Sequence, residues 1–431
     1  MAPSRESRRR LSAAEADSAS IAHLSSPRAR RSLLAVALIL PWGLAAALFF
    51  RTPPADTAPV EAPLAPSAAT FGAAGPWGRL VTMPIVIAPP LEYIPNDPGP
   101  VPTRARWVFP GTTRTVLEAW LIESGVPATE AARLVAAARP EPLTGGLVLE
   151  PDYALVGRLA PETLGAIHRQ LATTPHNPVQ YNAPRFFGSV DEWFRRPPVS
   201  ADTAARMRRL VYADGDFQHF GDTTLAGVEI GDAEERRRLA KMLLREKTLA
   251  VRVQVDPALI DSIADYWGLG GRRMDVRPLL ESIAGAGPDA SIDLTHLLPP
   301  FVRDHLYRYP QVTRAALDRG ALANCFWTAM NFFGRWPYDD AFLDVERTYA
   351  ALTRDFYLVH DQFRLGDVVL FSDAEGAPYH AAVYLADGLV FSKNGTSSLS
   401  PWVIVPLERF RGYYPQEFDG GQISYHRRIG W

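Results

Sequence analysis

Cys325 and His380 are the two residues whose types and positions predict chemistry. Cys325 is the only cysteine in the chain, so no intrachain disulfide holds the fold together. The residues from Cys325 to Phe333 favour a helix, and Asn324 is a suitable N-cap for it. A thiol in the first turn of a helix lies at the positive end of the helix dipole, which favours the reactive thiolate. We therefore predict that Cys325 is a nucleophile; the alternative is a buried, inert thiol.

A base for this nucleophile is predicted at His380, the first residue of a strand that runs to Asp387. Asp387 and Gly388 then predict a tight hairpin turn. The same region contains further strand-like runs: Gln362–Ser372 (after a turn), Leu389–Gly395, Trp402–Val405 and Gln422–Arg428. A helix that carries the cysteine and an antiparallel sheet that carries the histidine form the papain-like arrangement. We expect His380 to accept the proton of the Cys325 thiol.

With these motifs the chain resembles the NlpC-type family of bacterial cysteine peptidases and amidases, whose fold is papain-like. In that family a cysteine begins a helix, a Gly-Asp-hydrophobic strand follows, and a later strand begins with His-x-x-Val/Ile-Tyr. The matching residues here are Cys325, Leu365–Phe371 and His380–Leu385. The resemblance implies hydrolysis of an amide through a thioester, without a metal or a cofactor.

The third catalytic residue, which orients the histidine ring, has two candidates. The family's usual position falls on Ser392. Asn394, on the same predicted strand face, offers an amide oxygen that can accept a ring N–H. The family's usual Asp-Cys-Ser-Gly is also replaced by Asn-Cys-Phe-Trp at 324–327, which indicates a divergent branch and leaves the substrate open.

One membrane segment is predicted near the amino terminus. The run from Leu33 to Phe50 carries no charge and is about long enough to cross a bilayer as a helix. Many arginines precede it and few basic residues follow, so the positive-inside rule leaves the amino terminus in the cytoplasm. We expect a single-pass anchor in a bacterial inner membrane with the bulk of the chain in the periplasm; a cleaved signal peptide is the alternative.

Composition and pattern divide the 431 residues into five parts. The formal net charge of −2 gives no indication of a nucleic-acid partner, and the basic residues are nearly all arginine, with lysine only at 241, 247 and 393. The overall fold class is predicted as α+β. The parts are a disordered cytoplasmic tail (1–31), the transmembrane anchor (32–51), a Pro-rich linker (52–104), a mostly helical domain of unknown role (105–305) and the papain-like hydrolase domain (306–431).

Several helices and strands are predicted within the middle region. Helices are predicted after Thr113, over Asp232–Lys247, over Pro257–Trp267 and over Arg277–Ile283, and Thr248–Val255 alternates like a strand. Leu80–Ile87, inside the linker, is predicted to be a short strand. The segment from Asp214 to Asp222 has oxygen ligands at calcium-like spacing but no closing glutamate, so we expect a turn at Asp214–Asp216 and no metal site.

These observations favour a membrane-anchored, extracytoplasmic thiol hydrolase. The resemblance implies peptidoglycan peptides as the substrate. One alternative is an acyltransferase, or a lipid or small-amide hydrolase on the same scaffold, suggested by the aromatic residues that follow Cys325. The other is a non-catalytic binding or scaffold protein, suggested by the unusual residues around the cysteine.

Overall fold

The computed structural model describes residues 69–94, 102–287, 289–311, 322–413 and 421–431. The chain forms two compact units. One, here the split unit, combines residues up to Ile87 with Thr248–Trp431; the other, the inserted unit, is Ala88–Lys247. The predicted tail, the predicted anchor and residues 52–68 of the predicted linker lie outside the described residues. Among the helices that are described, none is long and apolar enough to cross a membrane.

Strands and helices alternate irregularly along the chain. The strands are β1 (Thr70–Gly75), β2 (Gly78–Ile87), β3 (Trp107–Phe109), β4 (Arg139–Glu141), β5 (Gly146–Leu149), β6 (Arg185–Phe187), β7 (Val211–Asp214), β8 (Phe217–Phe220), β9 (Glu246–Gln254), β10 (Ser291–Asp293), β11 (Phe356–Val359), β12 (Val368–Ser372), β13 (Pro378–Ala386), β14 (Leu389–Lys393), β15 (Trp402–Pro406) and β16 (Gln422–Arg428). The α-helices are α1 (Arg114–Glu123), α2 (Ala128–Ala136), α3 (Tyr153–Val156), α4 (Pro161–Leu171), α5 (Pro178–Tyr181), α6 (Val190–Trp193), α7 (Ala201–Arg208), α8 (Thr223–Glu229), α9 (Ala233–Leu243), α10 (Ile260–Trp267), α11 (Arg273–Ala284), α12 (Pro300–His305), α13 (Cys325–Met330), α14 (Val345–Asp355) and α15 (Arg409–Tyr413). Short 3₁₀ turns occur at Leu91–Tyr93, Pro257–Leu259, Leu294–His296 and Asp340–Leu343.

The α+β class is confirmed, but the structure divides the chain differently from the sequence. Residues 248–305, predicted to belong to the middle domain, are part of the split unit. The predicted linker contains the β1–β2 hairpin, and its strand β2 lies beside β9. The dense prolines lie on either side of this hairpin, at 53–66 and 89–102, so proline density indicated a spacer across a segment that in fact forms two strands.

In the inserted unit, helices pack with two small antiparallel sheets, ordered β3-β5-β4 and β6-β8-β7. The sheets add to the predicted helices, and nothing in the sequence indicated them because their strands are too short for a period-two signal. The predicted turn at Asp214–Asp216 is confirmed: Gly215 has φ +54° and joins β7 to β8. Trp193 anchors the apolar interior and donates its indole N–H to the carbonyl of Met242 at 3.1 Å.

Two sheets form the split unit. One has four strands in the order β1-β2-β9-β10, and the other has six in the order β11-β16-β12-β13-β14-β15. Their apolar residues belong to one core. The Thr248 hydroxyl donates to the carbonyl of Ile404 at 2.8 Å and accepts its amide N–H at 3.0 Å, and the Tyr266 hydroxyl donates to the carbonyl of Leu385 at 2.6 Å. The residues after the inserted unit are thus bonded directly to the six-stranded sheet.

Local sequence explains how the six-stranded sheet is held. Asp387 and Gly388 have positive φ angles of 48° and 74°, which confirms the predicted hairpin turn between β13 and β14. The buried Asp367 carboxylate accepts two hydrogen bonds from Arg427, both at 2.8 Å, and joins the start of β12 to β16. These contacts fix the strands on which the candidate functional residues lie.

Candidate functional site

Cys325 begins α13, as the sequence predicts, and Asn324 is its N-cap. The Asn324 side chain accepts the backbone N–H of Trp327 at 2.8 Å. The helix packs against β13 and β14, and its first residue lies in the core with 5% of its surface exposed. Backbone N–H groups of Ala381 and Phe326 point to the Cys325 sulfur. The thiol is therefore closed to solvent but surrounded by donors that favour a negative sulfur.

Lys393 is the charged residue that shares this buried position. It ends β14, is fully buried, and interacts electrostatically with Cys325. Its ammonium group donates to the carbonyls of Gly395 at 2.8 Å and Ser397 at 2.9 Å, and lies 5.8 Å from the centroid of the Trp402 ring. These contacts replace the hydration that burial removes, so a lysine is tolerated in the core.

Tyr349 of α14 is the third residue that interacts with the Cys325 thiol. Its hydroxyl donates to the carbonyl of Pro378 at 3.0 Å, and its ring lies 5.8 Å from that of Phe326. Burial raises the pKa of Tyr349, and the nearby Cys325 raises it further. The phenol therefore stays protonated.

His380 lies on the other face of the sheet. Neighbouring residues of a strand point to opposite faces, and Ala381, the next residue, faces Cys325 in the helix-covered core. The His380 ring packs instead against Phe410 and Phe371, with centroids 4.5 and 5.5 Å apart. The structure thus does not bring the Cys325 and His380 side chains together: strand β13 itself separates them.

The structure does bring His380 and Ser392 together. The Ser392 hydroxyl lies 3.2 Å from Nε2 of His380 and donates to the carbonyl of Ala381 at 2.8 Å. Both side chains are fully buried. Asn394, the other candidate for orienting the ring, follows the end of β14 and is partly buried.

The three titratable groups respond to burial in different ways. Burial raises the pKa of Cys325 to about 11, although the N–H groups of Ala381 and Phe326 and the charge of Lys393 act against this rise. Burial lowers the pKa of Lys393 to about 7, and Cys325 acts against that change. Burial also lowers the pKa of His380 to about 3. Near neutral pH, the amine of Lys393 is therefore the group that can take up a proton beside the thiol.

The sequence interpretation missed Lys393. A signal was present, because Lys393 is one of three lysines and comes two residues after the apolar run Leu389–Phe391 on the same predicted strand. Of the aromatic residues after Cys325 that suggested lipid chemistry, Phe326, Trp327 and Phe332 are buried in the core, and Phe333 is partly buried.

Within the part of the chain that the structure describes, no group of three or more His, Cys, Asp or Glu side chains is arranged to hold a metal ion. No protein-family model matches the chain, and neither a curated protein nor a solved structure is significantly similar to it.

Proposed function

We propose that the split unit is a thiol-dependent amide hydrolase in which Cys325 is the nucleophile and Lys393 accepts its proton. The supporting observation is that the only cysteine and a fully buried lysine share one site at the start of a capped helix. A lysine with a pKa near 7 is half neutral at physiological pH, which suits a general base.

The chemistry balances without a further reactant except water. The neutral amine of Lys393 takes the thiol proton, and the sulfur of Cys325 forms a bond to the amide carbon while the carbonyl π electrons move to oxygen. The C–N bond then breaks, and the leaving amine takes the proton from the Lys393 ammonium. Water then attacks the thioester carbon and transfers a proton to Lys393. The C–S bond breaks, the acid leaves, and the Lys393 ammonium returns the proton to the Cys325 sulfur.

The proposed substrate and the proposed location of the enzyme are supported by the sequence. The NlpC-type motifs favour peptide amides of peptidoglycan, and the uncharged run at Leu33–Phe50 favours an inner-membrane anchor with the enzyme in the periplasm. The buried thiol requires the residues that cover it to open before a peptide binds.

The test is release of peptide fragments from purified wall by the full-length chain and by Cys325→Ala. We expect the variant to lose release by about 10³-fold or more and to keep its thermal unfolding midpoint within a few degrees. Unchanged release would remove Cys325 from the mechanism.

A non-catalytic binding or scaffold role is the second candidate. The observation that favours it is the thiol itself, which is nearly closed to solvent and has a raised pKa. Alkylation of Cys325 measured from pH 6 to 11 separates the two candidates. A rate that rises only above about pH 10 favours the scaffold, and a plateau near neutral pH favours the enzyme.

A further inference from the structure

The split unit contains a cavity of about 290 Å³ at the end of α13 opposite to Cys325. Met330, Phe333 and Trp431 belong to its lining, whereas neither Cys325 nor Lys393 does. This volume is at the lower end of the range for small-molecule sites. The cavity is therefore distinct from the thiol site and is large enough for a compact organic molecule.

One wall of the cavity is aromatic and closely packed. The rings of Phe333 and Trp431 have centroids 4.1 Å apart. Gly366, with φ +90°, lets the Phe333 ring approach the backbone, because a Cβ at this position would lie 2.3 Å from the ring. This wall gives the cavity a fixed apolar surface for the body of a ligand.

Among the side chains that line the cavity, four arginines (335, 364, 427 and 428) outnumber two aspartates (339 and 367), and Arg364 donates to the backbone oxygen of Trp431. Asp367 is already bound by Arg427, and Asp339 caps the 3₁₀ turn by accepting the N–H of Ala341 at 2.9 Å. The two carboxylates are thus engaged in holding the fold.

Two of the arginines remain available for a ligand. Arg335 is exposed, and no described carboxylate pairs with it. Arg428 lies 5.9 Å from the centroid of the Trp431 ring. Asp355, whose pKa is lowered mainly by Arg354 and to a smaller extent by Arg428, accepts two hydrogen bonds from Arg354, each 2.7 Å long. Arginine binds carboxylates through paired N–H donors, so the cavity combines an apolar wall with an anion-binding edge.

We infer that this cavity binds a small carboxylate with an apolar or aromatic body, oriented with its carboxylate toward Arg335 and Arg428 and its body against Phe333 and Trp431. The inference does not depend on the hydrolase proposal, because it uses none of the residues around the thiol.

The test uses 3-phenylpropionate as the probe and 3-phenylpropionamide as its neutral match, each titrated into the full-length chain by calorimetry. We expect the carboxylate to bind at least about tenfold more tightly than the amide, since hydrogen bonds to charged groups are the stronger ones. Inorganic phosphate should bind more weakly than the probe because it cannot use the aromatic wall.

Matched variants locate the site. Arg335→Gln changes only an exposed side chain and should weaken the carboxylate several-fold; adding Arg428→Gln should weaken it further. Arg347→Gln, which removes an exposed charge outside the lining, should leave binding unchanged, as should Cys325→Ala. Equal binding of acid and amide, phosphate as strong as the probe, no binding at all, or full affinity in the folded Arg335→Gln/Arg428→Gln variant would each overturn the inference.

Discussion

Both units bury ionisable side chains beside the start of a helix, but they satisfy them differently. In the inserted unit, Asp222 caps α8 by accepting the N–H of Leu225 at 2.8 Å, and His168 lies beside it with Nε2 4.0 Å from the second carboxylate oxygen. That oxygen and both ring nitrogens of His168 have no hydrogen-bond partner among the described residues. In the split unit, Lys393 has two carbonyl acceptors and an aromatic ring.

The His168–Asp222 pair lowers the stability of the fold, whereas Lys393 is suited to proton transfer. An unsatisfied buried polar group destabilises the folded state, and the groups that interact near Asp222 are the hydroxyls of Tyr153 and Thr224 and not a thiol. Lys393 is satisfied and adjoins a thiol, so its lowered pKa is available for proton transfer. Burial of an ionisable side chain therefore does not indicate function by itself. The groups in contact with that side chain determine whether it can take part in chemistry.

The largest expected effect is on catalysis by Lys393→Met, which keeps an unbranched side chain one atom shorter and removes the amine. We expect wall-peptide release to fall by about 10²- to 10⁴-fold, because general bases contribute factors of this size. Lys241→Met is the matched control and should retain full activity. His380→Gln, on the opposite face, should also retain activity if it folds; a folded, inactive His380→Gln beside an active Lys393→Met would reverse our assignment of the base.

The pH profile of activity is the next effect in size. The base must be neutral, so kcat/KM should rise with pH and level off above about pH 7, the pKa of Lys393. Below that value the loss should approach about tenfold per pH unit. A profile that is flat from pH 5.5 to 8 would contradict a lysine base.

In the inserted unit, pH should act on stability rather than on catalysis. Burial raises the pKa of Asp222 to about 6, so its folded carboxyl holds a proton more tightly than the unfolded one, and stability is lost as pH rises through 6. Asp222→Asn keeps a capping oxygen and should raise the free energy of unfolding at pH 8 by about 2 kcal/mol. Urea unfolding at pH 4.5 and 8 measures this; an equal effect at both values would count against it.

His168 has the opposite dependence. Burial lowers its pKa to about 4, so the folded ring resists protonation, and the stability it allows is lost as pH falls from about 6.5 to 4. His168→Phe should therefore flatten the acid side of the stability curve. The two variants together separate opposing contributions to stability that overlap between about pH 4 and pH 6.

The smallest expected effect is on stability and comes from Asn324, the N-cap of α13. Asn324→Ala removes the acceptor for the N–H of Trp327 and should destabilise the split unit by about 1 kcal/mol. Asn324→Asp keeps the acceptor and should stay near the wild-type value. An alanine variant as stable as the wild type would show that packing alone holds the start of α13.

The sequence predicted local elements better than spatial neighbours. The cap at Asn324, the turn at Asp387–Gly388 and the strand at Leu80–Ile87 follow from local preferences, and the structure has them. The side of β13 on which a helix packs depends on contacts distant in sequence. A shift by one residue exchanges the two faces of a strand, so strand order alone did not place His380 relative to Cys325.

The hairpin Thr70–Ile87 is made before the inserted unit, but β9, the strand beside it, is made afterwards. During synthesis, β1 and β2 can therefore pair with β9 only after all of Ala88–Lys247 has been translated. A protein fragment that begins at Thr248 lacks half of a four-stranded sheet and leaves one edge of β9 unpaired. Proteolytic release of the carboxy-terminal part would thus expose a strand edge that favours aggregation.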